Sequence, residues 1–223
     1  RWQHRFADAA ERLARLNEMH VHPARRVRQA QQRIGVEVLL DPGTAPAWAA
    51  QNGLGDLSLA ELADHPDVIE EVNAALDDVM ANFNNERMAM AVGMEAFARV
   101  CLEEAVNWAR ERRTFGKRLA DHQVIRHKIA MMKQRINATQ AYIQMCSRQI
   151  VDGTVQPGDI ALLKVQASET MEFCAREAMQ VLGGAGYLRG NRVERIYREV
   201  RVNAIGGGSE EIMRDLAARQ FGF

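Results

Sequence analysis

Asn84-Asn85-Glu86-Arg87-Met88-Ala89-Met90-Ala91-Val92-Gly93-Met94-Glu95-Ala96-Phe97-Ala98-Arg99-Val100-Cys101 decides the fold class, because its apolar residues recur at helical spacing and go on recurring beyond it. Met94, Phe97, Ala98, Cys101, Ala105 and Trp108 stand at helical spacing. The pattern predicts a helix over about 84–112. Asn84 is its expected N-cap and Glu86 falls in the first turn, where an acid offsets the helix dipole. Thr114-Phe115-Gly116-Lys117 ends the pattern.

Downstream the same period returns. A second helix is expected over about 123–150, with Ile125, Ile129, Met132, Ile136, Ile143 and Ile150 among its apolar positions. Asp152-Gly153 and Pro157-Gly158 bound the next connection. A third helix runs over about 160–182 and stops at Gly183-Gly184, where a C-terminal glycine is expected. A shorter helix covers about 192–202, and a last one follows Ser209 to Arg219. Long helices joined by short loops predict a mainly α fold, an antiparallel four-helix bundle.

Upstream the pattern is heterogeneous. Trp2 to Met19 reads as an amphipathic helix, and His22-Pro23 breaks it. Val36-Glu37-Val38-Leu39-Leu40, closed by Asp41-Pro42-Gly43, reads as a strand. Ser58 caps a short helix over 59–63, and Pro66 starts another through Met80. The expected division is a small mixed appendage over 1–80 and a helical domain over 81–223.

Lys and Arg together number 29, as do Asp and Glu, and the net charge of zero gives no electrostatic footprint for nucleic acid. No apolar run approaches the length of a bilayer span. Cys101, Cys146 and Cys174 are odd in number, match no metal-ligand spacing and sit in helical segments, so they read as buried small hydrophobes in a reducing compartment. The cytoplasm fits, as does the mitochondrial matrix in a eukaryote. The chain opens on Arg1 rather than Met, which leads one to expect a fragment or processed product. Asp8, Glu11 and Glu18 count against a transit peptide.

Three segments carry chemistry. Gly206-Gly207-Gly208-Ser209-Glu210-Glu211 strips the backbone of side chains and then offers a helix N-cap, which calls for a tight turn or a ligand against the main chain. Arg110 to Lys117 places cations at a helix C-terminus; they either complement the dipole or, through Arg112, Thr114 and Phe115, clamp a pyrophosphate. Gln180 to Tyr187 has glycines that either cap a helix or admit a flat ring system.

Taken together, residues from about 80 to 221 resemble the C-terminal helical domain of the acyl-CoA dehydrogenases. The likeness rests on Asn84-Asn85-Glu86-Arg87, Arg112-Arg113-Thr114-Phe115-Gly116-Lys117, Gln180 through Gly186, and Tyr197-Arg198-Glu199 followed by the glycine loop. It implies an FAD-dependent oxidation of acyl-CoA thioesters, in which a carboxylate removes the α-proton and the β-hydrogen leaves as hydride. The resemblance places that base either at the position held here by Gly207 or at the one held by Glu86. Glutamate stands only at the second, as in the long-chain and isovaleryl branches. The likeness further assigns Asn84 and Arg87 to the acyl-CoA side. Arg112, Thr114, Phe115, Gln123, Gln180, Gly183 and Gly184 would contact the FAD of a neighbouring subunit, and Ser209 and Glu211 would line the flavin site near the base. It implies a homodimer or homotetramer, with an electron-transfer flavoprotein as acceptor.

Residues from about 36 to 80, through Leu39-Leu40-Asp41-Pro42, Ala47-Trp48-Ala49-Ala50 and Ser58 to Ala63, resemble instead a C-terminal piece of long-chain acyl-CoA synthetases. Eighty residues are too few for the two domains that precede the helical domain in the dehydrogenases. A non-catalytic helical module that keeps the family's oligomer interface is therefore the alternative expectation. Acyl-CoA oxidase chemistry is a third.

Overall fold

The computed structural model describes residues 40–223, so the helix expected over Trp2–Met19 and the strand expected at Val36–Leu40 lie outside the described residues, Leu40 excepted. Helices dominate: α1 Ala45–Gln51, α2 Leu59–Asp64, α3 Pro66–Glu111, a two-stranded hairpin of β1 Arg113–Thr114 and β2 Lys117–Arg118, then α4 Gln123–Val151, α5 Pro157–Leu182, α6 Gly184–Tyr187, α7 Arg192–Ile205 and α8 Glu210–Gln220. The chain divides into two compact units, Arg1–Phe83 and Asn84–Phe223.

In the first unit, Leu40, Ala45, Ala49, Leu62, Ala63, Val68, Val72 and Leu76 form a small core. Ser58 caps α2 through a capping box: its hydroxyl accepts from the Glu61 N–H, while the Glu61 carboxylate accepts from the Ser58 N–H at 2.9 Å.

In the second unit, one core is shared by α3 (Met94, Ala98, Cys101, Ala105), α4 (Met132, Ile136, Cys146), α5 (Leu163, Ala167, Met171, Cys174, Ala178) and α7 (Val193, Ile196, Val200). α5 is the central element, with residues buried all round its circumference, from Ile160 and Ala161 to Val181 and Leu182. α8 closes over it through Met213 and Ala217 against Ala161 and Val165. Thr139 and Thr170 meet at 2.8 Å between α4 and α5, both buried, with the Gln166 amide beside them.

The structure corrects the sequence reading at Asn84. No turn separates 80 from 84, and the segment is helical throughout. The reason is that Ala81-Asn82-Phe83 contains neither Gly nor Pro, and Asn costs an established helix only a few tenths of a kcal/mol, about 0.7 at most. Asn84 is therefore not an N-cap, and Glu86 is not in a first turn.

Two further details differ. α5 begins at Pro157, where a proline's missing N–H costs nothing. Past Gly183, whose φ of 59° ends α5, the chain makes the extra helical turn α6.

Candidate functional site

Because Glu86 lies within α3, the dipole preference that would make an acid unremarkable in a first turn does not apply to it. Glu86 is exposed, and its neighbour Arg87 is buried, 7% exposed. A guanidinium is seldom buried without partners. Arg87 finds them: its Nε donates to the Gly207 carbonyl at 3.0 Å, across 120 residues of chain, and its Nη1 donates to Asn84 Oδ1 at 3.2 Å. Burial pulls the Arg87 pKa down, and the Glu86 charge opposes that. Arg87, the chain neighbour of Glu86, is thus tied to the glycine loop.

The loop itself is held on all sides. Gly207 (φ 70°) and Gly208 (φ 109°) adopt the left-handed region, which L side chains rarely enter. A side chain at either would also have to displace the end of a methionine. A Cβ on Gly207 would lie 2.9 Å from Met90 Sδ, and one on Gly208 would lie 2.4 Å from Met213 Cε. On the interior side Lys164, fully buried, donates from Nζ to the Ala204 carbonyl at 2.5 Å and to the Gly208 carbonyl at 2.8 Å. Ser209 caps α8 through the Ile212 N–H. The Glu211 carboxyl sits below its ordinary range because its own N–H and the Ser209 hydroxyl donate to it, with Arg214 and Arg201 adding to the effect. Glu210 accepts from the Ser168 hydroxyl at 2.7 Å.

Sequence reading did not find Lys164, Met90, Met213 or Ser168. A signal for Lys164 was present. It interrupts Ile160-Ala161-Leu162-Leu163 and Val165, and lysine is scarce here, most of the 29 basic residues being arginine.

The remaining residues singled out from sequence lie in two other places. Arg112 follows α3, and its carbonyl accepts from the Leu119 N–H at 2.7 Å, closing the hairpin whose register pairs Arg113 with Arg118 and Thr114 with Lys117. The turn residues Phe115 (φ 51°) and Gly116 (φ 81°) both have positive φ, the geometry of a type I′ turn. Phe115 is 96% exposed. Thr114 Oγ1 lies 3.2 Å from His122 Nε2, and Gln123, exposed, opens α4. Gln180, Gly183 and Gly184 form an exposed set at the end of α5. Among the described residues, no hydrogen bond or ion pair joins the hairpin to Gln180 or either of them to the glycine loop. Nor do the described residues contain a cluster of three or more His, Cys, Asp or Glu arranged to hold a metal ion. None of their helices is long and apolar enough to cross a membrane.

Comparison with known proteins identifies the family. A model of the family described as acyl-CoA dehydrogenase, C-terminal domain, matches residues 76–222. The chain is 36% identical over 164 residues to "Acyl-CoA dehydrogenase AFT10-1" of Alternaria alternata, covering 69% of this chain and 38% of that protein. It is 31% identical over 153 residues to the mitochondrial long-chain specific acyl-CoA dehydrogenase of Mus musculus, covering 69% of this chain and 36% of that enzyme. The crystal structure of a probable acyl CoA dehydrogenase from Mycobacterium abscessus superposes with a TM-score of 0.64 at 36% identity, covering 65% of this chain and 39% of that one. The chain thus spans about two-fifths of the length of the relatives it matches. The expected likeness of residues 36–80 to acyl-CoA synthetases finds no support: these relatives are dehydrogenases, and the family match takes in residues from 76 onward. With four motifs in order, the glycine loop joined to Arg87 and the family match over most of its length, the chain belongs to the acyl-CoA dehydrogenase family through that family's C-terminal helical domain.

Proposed function

We propose that the protein to which this chain belongs oxidises an acyl-CoA thioester to its trans-2-enoyl product, with Glu86 as the base that takes the α-proton. The observation that carries the reading is the bond from Arg87 to the Gly207 carbonyl, which ties the Glu86 helix to the one loop where the resemblance offers an alternative base and where this chain has glycine. A carboxylate there is opposed by the positive φ of Gly207, and its Cβ would also have to displace the Met90 thioether.

FAD is the family's cofactor, and the residues present fit it. Gly183 and Gly184 have open space where a Cβ would stand, so a ligand can approach their backbone directly. An exposed phenylalanine held at positive φ on a hairpin rich in cations, with the His122 ring edge as its aromatic neighbour, is a strained feature that burial does not repay. Arg112, Thr114, Phe115, Gln123, Gln180, Gly183 and Gly184 would hold the FAD of a neighbouring subunit, and Ser209 and Glu211 would lie beside the flavin near the base. When bound, the flavin supplies the acceptor for the β-hydride.

The chain's own residues supply the rest. Glu86 accepts the α-proton, a weak acid that needs a well-placed base. Arg87 fixes the loop and, with Asn84, borders the acyl-CoA side. Reoxidation by an electron-transfer flavoprotein, assembly as a homodimer or homotetramer and a reducing compartment complete the reading, the last supported by three buried, unpaired thiols.

The test is optical. Purified protein should show bound-flavin absorbance that bleaches on adding acyl-CoA, and Glu86→Gln should abolish bleaching while the colour stays. Protein that remains colourless with added FAD would favour the second reading, a non-catalytic helical module, which the chain's short span of its relatives motivates.

A further inference from the structure

Lys164 is the most thoroughly buried cation of the described residues, and nothing in the proposed chemistry uses it. It is 0% exposed in the N-terminal third of α5, the central helix. Burying an ammonium is costly unless its donors are met. Both acceptors that meet it here belong to one short segment: the Ala204 carbonyl in the last turn of α7 and the Gly208 carbonyl at the end of the glycine loop. One ammonium therefore bridges the two ends of the loop. Glu210 at the start of α8 and Glu211 beside it supply opposite charge, and Arg87 of α3 supplies like charge from the other side.

A trans peptide is planar, with its N–H opposite its C=O. Turning the Gly208 carbonyl inward to Lys164 sends the Ser209 N–H the other way. Turning the Gly207 carbonyl to Arg87 does the same for the Gly208 N–H. The two cations draw in the loop's acceptors and leave its donors facing away from them.

We propose that Lys164 is the positioning residue of the glycine loop: by tying the Ala204 and Gly208 carbonyls to one ammonium it sets the loop's span, and with it the presentation of Gly207 to Arg87. The functional consequence rests on the flavin reading above, whereas the positional one does not. Lysine suits the task better than arginine because a compact ammonium aims its donors at separate acceptors, whereas a planar fork suits one bidentate partner.

Amide hydrogen exchange in the whole protein, with and without Lys164→Met, tests this with no flavin required. Met keeps length and apolar bulk and has no donor. The amides of Ile205, Gly206, Ile212 and Met213, at the helix ends flanking the loop, should exchange at least tenfold faster in the variant. Those of Met132, Ile136, Met171 and Ala175 in the shared core should keep their rates. Lys164→Gln, whose shorter amide reaches one carbonyl, should restore part of the protection. In the native protein, amine acylation should modify exposed Lys117 and Lys133 well before Lys164. Unchanged exchange at the loop, equal acceleration in the core, or acylation of Lys164 as fast as the exposed lysines would each overturn the proposal. Should Lys164→Met fail to fold, the glutamine variant and the acylation order decide the matter. A colourless protein would sink the flavin reading and leave these outcomes untouched.

Discussion

Phe115 holds φ at 51° while exposing 96% of its surface, so it bears backbone strain with no burial in return. The left-handed region costs a non-glycine residue about 1–2 kcal/mol, and asparagine tolerates it better. Phe115→Asn should therefore raise stability by about 0.5–1 kcal/mol in a denaturant titration while weakening FAD binding, and a loss of stability would show that the ring packs within the chain after all. Gly207 presents the opposite case. Its alanine variant meets both a positive φ and Met90 Sδ, so Gly207→Ala should cost about 2–4 kcal/mol by the same measurement. A neutral result would mean that Met90 moves aside freely.

At the scale of elements, α5 is held to its neighbours by polar ties as well as apolar packing. The Thr139 and Thr170 hydroxyls satisfy one another between α4 and α5. Removing one hydroxyl leaves the other only the Gln166 amide as partner and should cost about 1 kcal/mol, while Thr139→Val with Thr170→Val should cost less than the sum of the two. Additive costs would show that the pair is not coupled.

The second tie of α5 predicts a pH dependence. Burial lowers the pKa of Lys164, with Glu210 and Glu211 opposing the shift and Arg87 adding to it. A lysine whose pKa falls on folding binds more protons in the unfolded chain between the lowered value and its ordinary one, about 10.4. Stability from this group therefore rises with pH across that window, and the burial penalty is fully present below it. Lys164→Met should remove that rise from a pH series of urea midpoints. A slope identical in both proteins would assign it to other groups.

Across the molecule, the three cysteines report on the second unit's core. Burial pushes Cys101 and Cys174 to about 12 and Cys146 to about 11. Thiolates are the reactive species, so an aromatic disulfide reagent should label none of them in the native protein and all three on unfolding, in step with loss of helical signal. Early labelling of one alone would reveal local opening of its helix.

The long helices and their faces were readable because amphipathic period and breaker residues are local properties of the chain. Of the set read from spacing, Met94, Ala98, Cys101 and Ala105 are buried and Trp108 half-buried, whereas Phe97 is 40% exposed. The end at Asn84 was misread because a good capping residue is also a tolerable helix interior, and only neighbouring geometry chooses between the two. The hairpin turn was legible as a helix stop but not as a place where phenylalanine itself takes the left-handed conformation.

What the sequence by itself determined is the order of helices, the apolar faces that make them pack, and the motif set that marks the family, since each depends on residues a few positions apart. The tertiary structure alone decided that Arg87 meets Gly207 across 120 residues and that Lys164 reaches Gly208 across 44. Those contacts exist only once α3, α5 and α7 share a core. Burying a cation is tolerable only where packing brings carbonyls to it, and the spacing of residues along one helix does not reveal which distant backbone will be there.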